Sequence, residues 1–150
     1  ELLIVVAILG VLAAVVIPNV MRFIGAGEQE ARDTELANIQ AAVSAMMVDN
    51  NLALLPTPVG PLPGGASTND MNAFPDTSAL GVALKEYDRL GNQFIAPDLD
   101  GYLLYQHDVI ADTSATPLVN YVAEQITASY YSVDEFGTVK QWRDNIQTPY

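Results

Sequence analysis

The chain begins with an uninterrupted apolar run. From Leu2 to Ile17 no side chain is charged or can form a hydrogen bond, and apolar residues would cover every face of a helix instead of one stripe. At 1.5 Å per residue such a helix is about 24 Å long, slightly short of the roughly 30 Å hydrocarbon layer of a bilayer. One globular domain could cover only part of this surface, so we expect lipid or other copies of the helix to cover the rest.

The pattern changes between residues 28 and 51, where apolar side chains recur at spacings of three and four and most charged side chains fall on other faces. This pattern predicts an amphipathic helix over residues 28–51 that packs its apolar stripe on a globular body. The stripe consists of Leu36, Ile39, Val43, Met46 and Met47. We interpret the two methionines as core residues and not as a binding surface.

The next segment is rich in turn-forming residues. Residues 52–76 contain five prolines and three glycines, which predicts a long exposed loop without regular elements. A short helix is predicted from Thr77 to Asp88, because a capping residue precedes an apolar face spaced as in a helix.

The last third of the chain predicts β-strands. Runs rich in aromatic and aliphatic residues extend over Tyr102–Val109, from about Val119 to Val133, and over Thr138–Arg143. Ser129–Val133 and Thr138–Trp142 flank a turn and predict an antiparallel hairpin, whereas residues 118–125 suit either a strand or a short helix. We therefore predict an α+β fold, with three or four antiparallel strands packed on the long amino-terminal helix.

The segment Glu1–Pro18, with the sequence ELLIVVAILGVLAAVVIP, resembles the amino-terminal segment of type IV pilins and of the pseudopilins of type II secretion. The resemblance covers about the first 50 residues at most. It implies a pilin-like fold in which residues 1–27 form a hydrophobic transmembrane and assembly helix and residues 28–150 form a globular pilin domain.

The resemblance also implies a role for Glu1. In the family the matching glutamate pairs with the terminal amine of a neighbouring subunit during assembly; a solvated cap that gains from the helix dipole is the alternative. Family members carry four residues before this glutamate, beginning with an N-methylated aromatic residue. We expect either that four such residues precede Glu1 in the mature chain or that processing differs.

Gly10 and Pro18 interrupt the apolar run. Glycine costs a helix about 1 kcal/mol relative to alanine and an interior proline about 3 kcal/mol. The resemblance implies that the helix melts between these positions in a filament, whereas a gentle kink at Pro18 is the alternative. The residues that we expect to form the assembly surface are Glu1, Leu2, Leu3, Val6, Leu9, Gly10, Leu12, Val16 and Pro18.

Arg22 and Phe23 form a cation and aromatic pair typical of a membrane–water interface. With Arg22 after the apolar run, the positive-inside tendency would place the carboxyl side in the cytoplasm, whereas the resemblance implies the reverse orientation. We follow the resemblance, because one arginine is weak evidence. It implies an inner-membrane precursor, then an extracellular pilus on the cell surface, with identical subunits and the pilus assembly machinery as partners.

Composition limits the chemistry that the chain can perform. The net charge is −12 and only four of the cationic residues lie beyond residue 50, which argues against nucleic-acid binding. Cysteine is absent, so disulfides, thiol nucleophiles and His/Cys metal clusters are excluded. We expect no enzymatic activity and no cofactor.

Three polar features have simple structural interpretations. His107 is the only histidine, and we interpret it as a packed or surface residue. The sequence Asp98-Leu99-Asp100-Gly101 suggests a calcium loop, but the EF-hand spacing fails and a turn is favoured. Candidate exposed positions for O-linked sugar are Ser67, Thr68, Thr113, Ser114 and Thr116.

The sequence therefore predicts a major pilin that polymerises into a filament for adhesion or motility. Alternatives are a pseudopilin of type II secretion, and a membrane-tethered monomeric binding module that acts through its proline-rich loop. A removed secretory signal would also explain the apolar run, although no basic region precedes Leu2 and no small-residue cleavage pattern follows Ile17.

Overall fold

The computed structural model describes residues 1–61, 65–78, 87–94, 101–109, 111 and 118–150. These residues contain one long helix and five short strands: α1 (Leu2–Asp49), β1 (Thr68–Asp70), β2 (His107–Asp108), β3 (Leu118–Val119), β4 (Ile126–Val133) and β5 (Val139–Trp142). The predicted α+β class is confirmed. The chain divides into two compact units, Glu1–Glu35 and Leu36–Tyr150, with the boundary inside α1.

The hydrophobic core lies in the second unit. Its apolar members are buried side chains from the last turns of α1, from β4 and β5, and from the segments that connect the strands. They are Ile39, Ala42, Val43, Met46, Met47, Leu55, Met71, Phe74, Tyr102, Leu104, Tyr131, Val133 and Val139. The predicted helical stripe is confirmed, because four of its five residues belong to this core and the fifth, Leu36, packs against it half-buried.

The main sheet has three antiparallel strands in the order β1-β4-β5. The predicted hairpin is confirmed: Tyr130 pairs with Trp142 and Val133 with Val139. Strands β2 and β3 form a separate antiparallel pair, in which His107 is opposite Val119. The main sheet therefore has three strands, but the run Tyr102–Val109, which we predicted as one of its strands, contributes only β2, and β2 belongs to the separate pair.

Two predicted strands are shorter in the structure. In the run Tyr102–Val109 only His107 and Asp108 are in a strand. The backbone before them forms hydrogen bonds to residues 71–76 that do not follow a regular ladder, and Gln106 adopts a φ of +54°. Leu104 N, for example, donates to the carbonyl oxygens of both Met71 and Phe74. The run from Val119 to Val133 is divided between β3 and β4, and residues 120–125 are neither helix nor strand.

The proline-rich loop contains a strand that we did not predict. β1 pairs with the edge of β4, with Thr68 opposite Tyr131 and Asp70 opposite Ile126. The expectation that Ser67 and Thr68 are exposed is also wrong. Ser67 is buried and its hydroxyl donates to the carbonyl oxygen of Asp144, and Thr68 is half-buried.

Other predictions lie wholly or largely outside the described residues. They are the helix Thr77–Asp88, the Asp98–Asp100 turn, and the sugar candidates Thr113, Ser114 and Thr116. At the end of that predicted helix, Tyr87 forms a β-bridge with Gln93.

A glutamine on α1 fixes the β4–β5 hairpin. The Gln40 amide donates through Nε2 to the carbonyl oxygen of Gly137 at 2.8 Å, and its Oε1 accepts from the backbone N–H of Val139 at 2.9 Å. Gly137 has a φ of +83°, and a Cβ at this position would lie 2.5 Å from the Sδ of Met47. The hairpin turn therefore approaches the helix closely and needs glycine for both its conformation and its packing.

The carboxyl end of α1 is closed by a left-handed residue. Asn51 has a φ of +56°, its N–H donates to the carbonyl oxygen of Val48, and Leu52 N donates to that of Met47 at 2.8 Å. This pair of hydrogen bonds is a Schellman cap, which satisfies backbone carbonyl groups that the end of a helix leaves without a partner.

A chain of polar side chains joins this helix end to the rest of the core. His107 is fully buried; its Nδ1 accepts from Leu103 N, and its Nε2 lies 3.0 Å from the Oδ1 of Asn50, an arrangement that fits the Nε2–H tautomer. The Tyr121 hydroxyl donates to Asp49 at 2.6 Å. Burial is the largest cause that raises the pKa of the Tyr121 hydroxyl, and the hydrogen bond to Asp49 and the negative charge of Asp49 raise it further. The interpretation of His107 as a packed residue is confirmed.

Asp88 organises a turn. Its carboxylate accepts from the backbone N–H groups of Leu90, Asn92 and Ala111 and from the side chain of Asn92. Burial acts to raise the pKa of Asp88, but the donated hydrogen bonds together outweigh it and lower the pKa. Gly91 in this turn has a φ of +85°, and a Cβ there would meet no atom within 4 Å.

Candidate assembly surface

The first unit exposes every large apolar side chain between residues 2 and 24. There are sixteen such side chains, and their exposed fractions range from 48 % for Val20 to 85 % for Phe23. A contiguous apolar surface of this extent is unusual for a protein that stays monomeric in water, and it marks a site of contact with protein or membrane.

The free energy available from covering this surface is large. Fully burying one aliphatic side chain contributes about 1.5–3 kcal/mol, so covering sixteen side chains that are half to mostly exposed would contribute on the order of 15–30 kcal/mol per subunit. Association costs on the order of 4–15 kcal/mol in lost freedom and ordering. The free energy available from covering this surface, by lipid or by protein, is therefore at least as large as the cost of association.

The predicted assembly residues all lie on or beside this surface. Glu1 is exposed and precedes the first turn of α1. One broad face of the helix carries five of the predicted apolar residues, because their spacings of three, four and seven follow the helical repeat. They are Leu2, Val6, Leu9, Leu12 and Val16. Leu3 and Gly10 are seven residues apart on the adjacent face.

The helix runs through both of its predicted interruptions. Pro18 lies inside α1, and since it has no N–H, the carbonyl group of Ala14 receives no helical hydrogen bond from it. At Gly10 an added Cβ would meet nothing within 4 Å. The single subunit thus has the continuous helix, and melting between these residues stays a prediction for the assembled state.

Two further glycines in this unit have no steric reason in the subunit. Added Cβ atoms at Gly25 and Gly27 would also meet nothing within 4 Å, and all three helix glycines have ordinary helical φ. Each costs the helix about 1 kcal/mol relative to alanine. Small residues in a helix permit the close approach of another helix.

The exposed apolar surface extends beyond the run Leu2–Ile17. It continues through Val20, Met21, Phe23 and Ile24, which lie within the predicted hydrophobic segment 1–27. Their spacing follows the helical repeat of the preceding run, and this signal was visible in the sequence.

Two charged side chains accompany this surface: Glu1 precedes it, and Arg22 lies near its carboxyl end. Within the described part of the chain, neither the Glu1 nor the Arg22 side chain forms a hydrogen bond or an ion pair. The residues three and four positions from Arg22 are Pro18, Asn19, Gly25 and Ala26, none of which is acidic. Arg22 therefore has no acidic neighbour one turn away on its own helix.

The described residues contain no group of three or more metal-ligating side chains. Among the same residues, α1 is the one helix long and apolar enough to cross a bilayer, a judgement from length and composition. A helix of this kind near the amino terminus is compatible with a membrane anchor and with a signal sequence. Comparison of the chain with protein-family models, with curated proteins and with solved structures finds no match.

Proposed function

We propose that this chain is a pilin, the major structural subunit of a type IV pilus filament that serves adhesion or motility. In this proposal the first unit holds each precursor in the inner membrane. The same helix then packs with its copies into the core of an extracellular filament. The pilus assembly machinery would move the subunit from one state to the other.

The observation that carries the proposal is the exposure of sixteen large apolar side chains on one helix, on every face, in a chain whose second unit has a hydrophobic core of its own. A core helix would be covered by its own domain. A helix covered by nothing in its subunit needs lipid or other helices around it, and a pilin uses both in turn. The resemblance of Glu1–Pro18 to pilins supports this interpretation.

The distribution of charge also favours a filament with the globular unit outside. Residues 1–27 contain one acidic and one basic side chain, so the whole net charge of −12 belongs to residues 28–150. A strongly acidic unit stays in water and keeps neighbouring filaments apart. Each subunit contacts the next through different patches, which gives open-ended growth.

Electron microscopy of material sheared from cells that produce the chain tests the proposal. We expect thin filaments of micrometre length that bind an antibody raised against residues 36–150 and are absent from cells without the gene. Short fibres that stay in the cell envelope would favour a pseudopilin. A chain found only as a membrane-bound monomer, with no filament, would refute assembly and favour the tethered binding module.

A further inference from the structure

The second unit has an exposed helix face that carries no charge. From Leu36 to Val48, α1 contains no charged residue, although thirteen of the eighteen acidic residues of the chain lie in this unit. The side of a helix that faces water normally carries charged and polar side chains. Five exposed residues recur on this side at helical spacing and form what we call the neutral face: Ala37, Ala41, Ser44, Ala45 and Val48.

The neutral face can lose its water at low cost. It has one side-chain polar group, the hydroxyl of Ser44, which donates to the carbonyl oxygen of Gln40 at 2.9 Å. A buried polar group is costly when it has no hydrogen-bond partner. Covering the neutral face therefore leaves none of its side chains unsatisfied.

Three large apolar side chains are exposed at the carboxyl end of this face. The backbone N–H of Leu55 donates to the carbonyl oxygen of Glu135 at 2.8 Å, and Gly137 in the same turn lies against Met47. Each exposed side chain belongs to a residue next in sequence to one of these four, so all three surround one junction of helix and hairpin. They form what we call the apolar patch: Val48, Leu54 and Phe136, with exposed fractions of 77, 47 and 68 %.

We propose that the neutral face and the apolar patch together receive the amino-terminal helix of a second copy. This inference rests on the proposed function and adds to it the surface on one subunit that binds the helix of the next. Each subunit gives residues 2–24 to one neighbour and receives the same residues from another. Such a contact joins two different patches, as open-ended growth requires.

The chemistry of this surface selects its occupant. Residues 2–21 contain no charged side chain, so this helix covers an uncharged face without burying a charge that lacks a partner. Its large side chains lie over alanine and serine, and small residues permit the close approach of two helices. A lipid surface fits less well, because anionic headgroups repel the acidic residues of the second unit.

A charge placed on the neutral face tests the proposal. Ala41→Glu keeps a good helix former but adds a carboxylate. We expect it to raise about tenfold or more the concentration of chain that stays unassembled after dilution from detergent. The matched control is Ala128→Glu, because Ala128 is exposed on β4 and side chains alternate along a strand, so it faces away from the buried Tyr131. We expect the control to change this concentration by less than about twofold.

The outcomes of this experiment are distinguishable. If the wild-type chain assembles, a wild-type concentration for Ala41→Glu, or an equal rise in both variants, would overturn the inference and leave the proposed function intact. If the wild-type chain does not assemble, the proposed function fails and this inference fails with it. Urea unfolding of both variants checks that the second unit keeps its fold.

Chemical labelling tests what covers this surface without adding a charge. The chain has no cysteine, so Val48→Cys introduces a single thiol, and Leu90→Cys is the control at a residue that is 68 % exposed. We expect a charged maleimide to modify Val48→Cys about tenfold more slowly than Leu90→Cys in the polymer, but at a similar rate in lipid vesicles. Slow labelling in vesicles would show that lipid covers the surface, and equal rates in the polymer would show that nothing does. Either result would overturn the proposal.

A photoactivatable cross-linker attached to Val48→Cys identifies the occupant. In a polymer of mixed isotope-labelled and unlabelled chains, cross-linked peptides should join residue 48 of one copy to residues 2–24 of another. Cross-links that reach only the second unit of the other copy would show a different occupant and would overturn the inference.

Discussion

Leu9→Ala should weaken assembly by an amount that can be worked out from the structure. The substitution removes three carbon atoms, and burying three methylene-sized groups contributes about 2.4 kcal/mol. Leu9 is 60 % exposed in the subunit, so about 1.4 kcal/mol of this burial is available to the polymer. This value corresponds to about a tenfold rise in the concentration needed for assembly. Alanine favours helix at least as well as leucine, so a loss of helix cannot be the cause.

The assay starts from purified full-length chain in detergent. Dilution below the critical micelle concentration, followed by sedimentation, gives the concentration of chain that stays unassembled. Leu90→Ala is the matched control, because Leu90 is 68 % exposed but belongs to the acidic unit. We expect it to leave that concentration unchanged. Equal concentrations for wild type and Leu9→Ala, or an equal rise in both variants, would contradict burial of the apolar surface between copies.

Three further predictions concern the second unit, and thermal or urea unfolding of the full-length chain in detergent checks each. Gln40→Ala removes both side-chain hydrogen bonds to the hairpin and should lower the free energy of unfolding by about 1–3 kcal/mol. The control Gln29→Ala, on the exposed part of the helix, should change it by less than about 0.5 kcal/mol. Equal losses in the two variants would show that the Gln40 amide does not fix the hairpin. Gly137→Ala should lower the free energy of unfolding by about 1–3 kcal/mol more than Gly91→Ala. Both glycines have positive φ, but only at Gly137 would an added Cβ contact another side chain, that of Met47. A smaller loss at Gly137 than at Gly91 would contradict the packing described. The lowered pKa of Asp88 means that its carboxylate stabilises the fold above the unfolded pKa of about 3.8 and that this contribution is lost as the pH falls through the lower folded pKa. Melting temperature should therefore fall less steeply below pH 4 in Asp88→Asn than in wild type, and parallel curves would rule out this role.

The elements with strong periodicity were predictable from the sequence. The helical stripe and the hairpin were confirmed because their spacings of three and four, and of two around a turn, reflect contacts that are local in sequence. β1 was missed because a segment of three polar residues, Thr68–Asp70, shows no alternation of apolar and polar positions and two of the three, Asn69 and Asp70, are of types depleted in strands. Their extended conformation comes from pairing with the edge of β4, more than 50 residues away.

The polar contacts that fix α1 were also hidden from sequence reasoning. Gln40 reads as a solvent-facing helix residue, and its role appears only when the fold brings Gly137 and Val139 to it. The candidate assembly surface is the opposite case. This surface exists because the helix has no polar side chains over a whole run, and that property can be read directly from the sequence.

The division of α1 between two units separates two kinds of mutational tolerance. All thirteen apolar core members come after Glu35, so a substitution within residues 2–24 removes no side chain from this core. In the proposed filament, natural selection on those residues would act through the contacts between copies. Mutations could therefore change the outer surface of the proposed filament and the contacts between its subunits independently of each other.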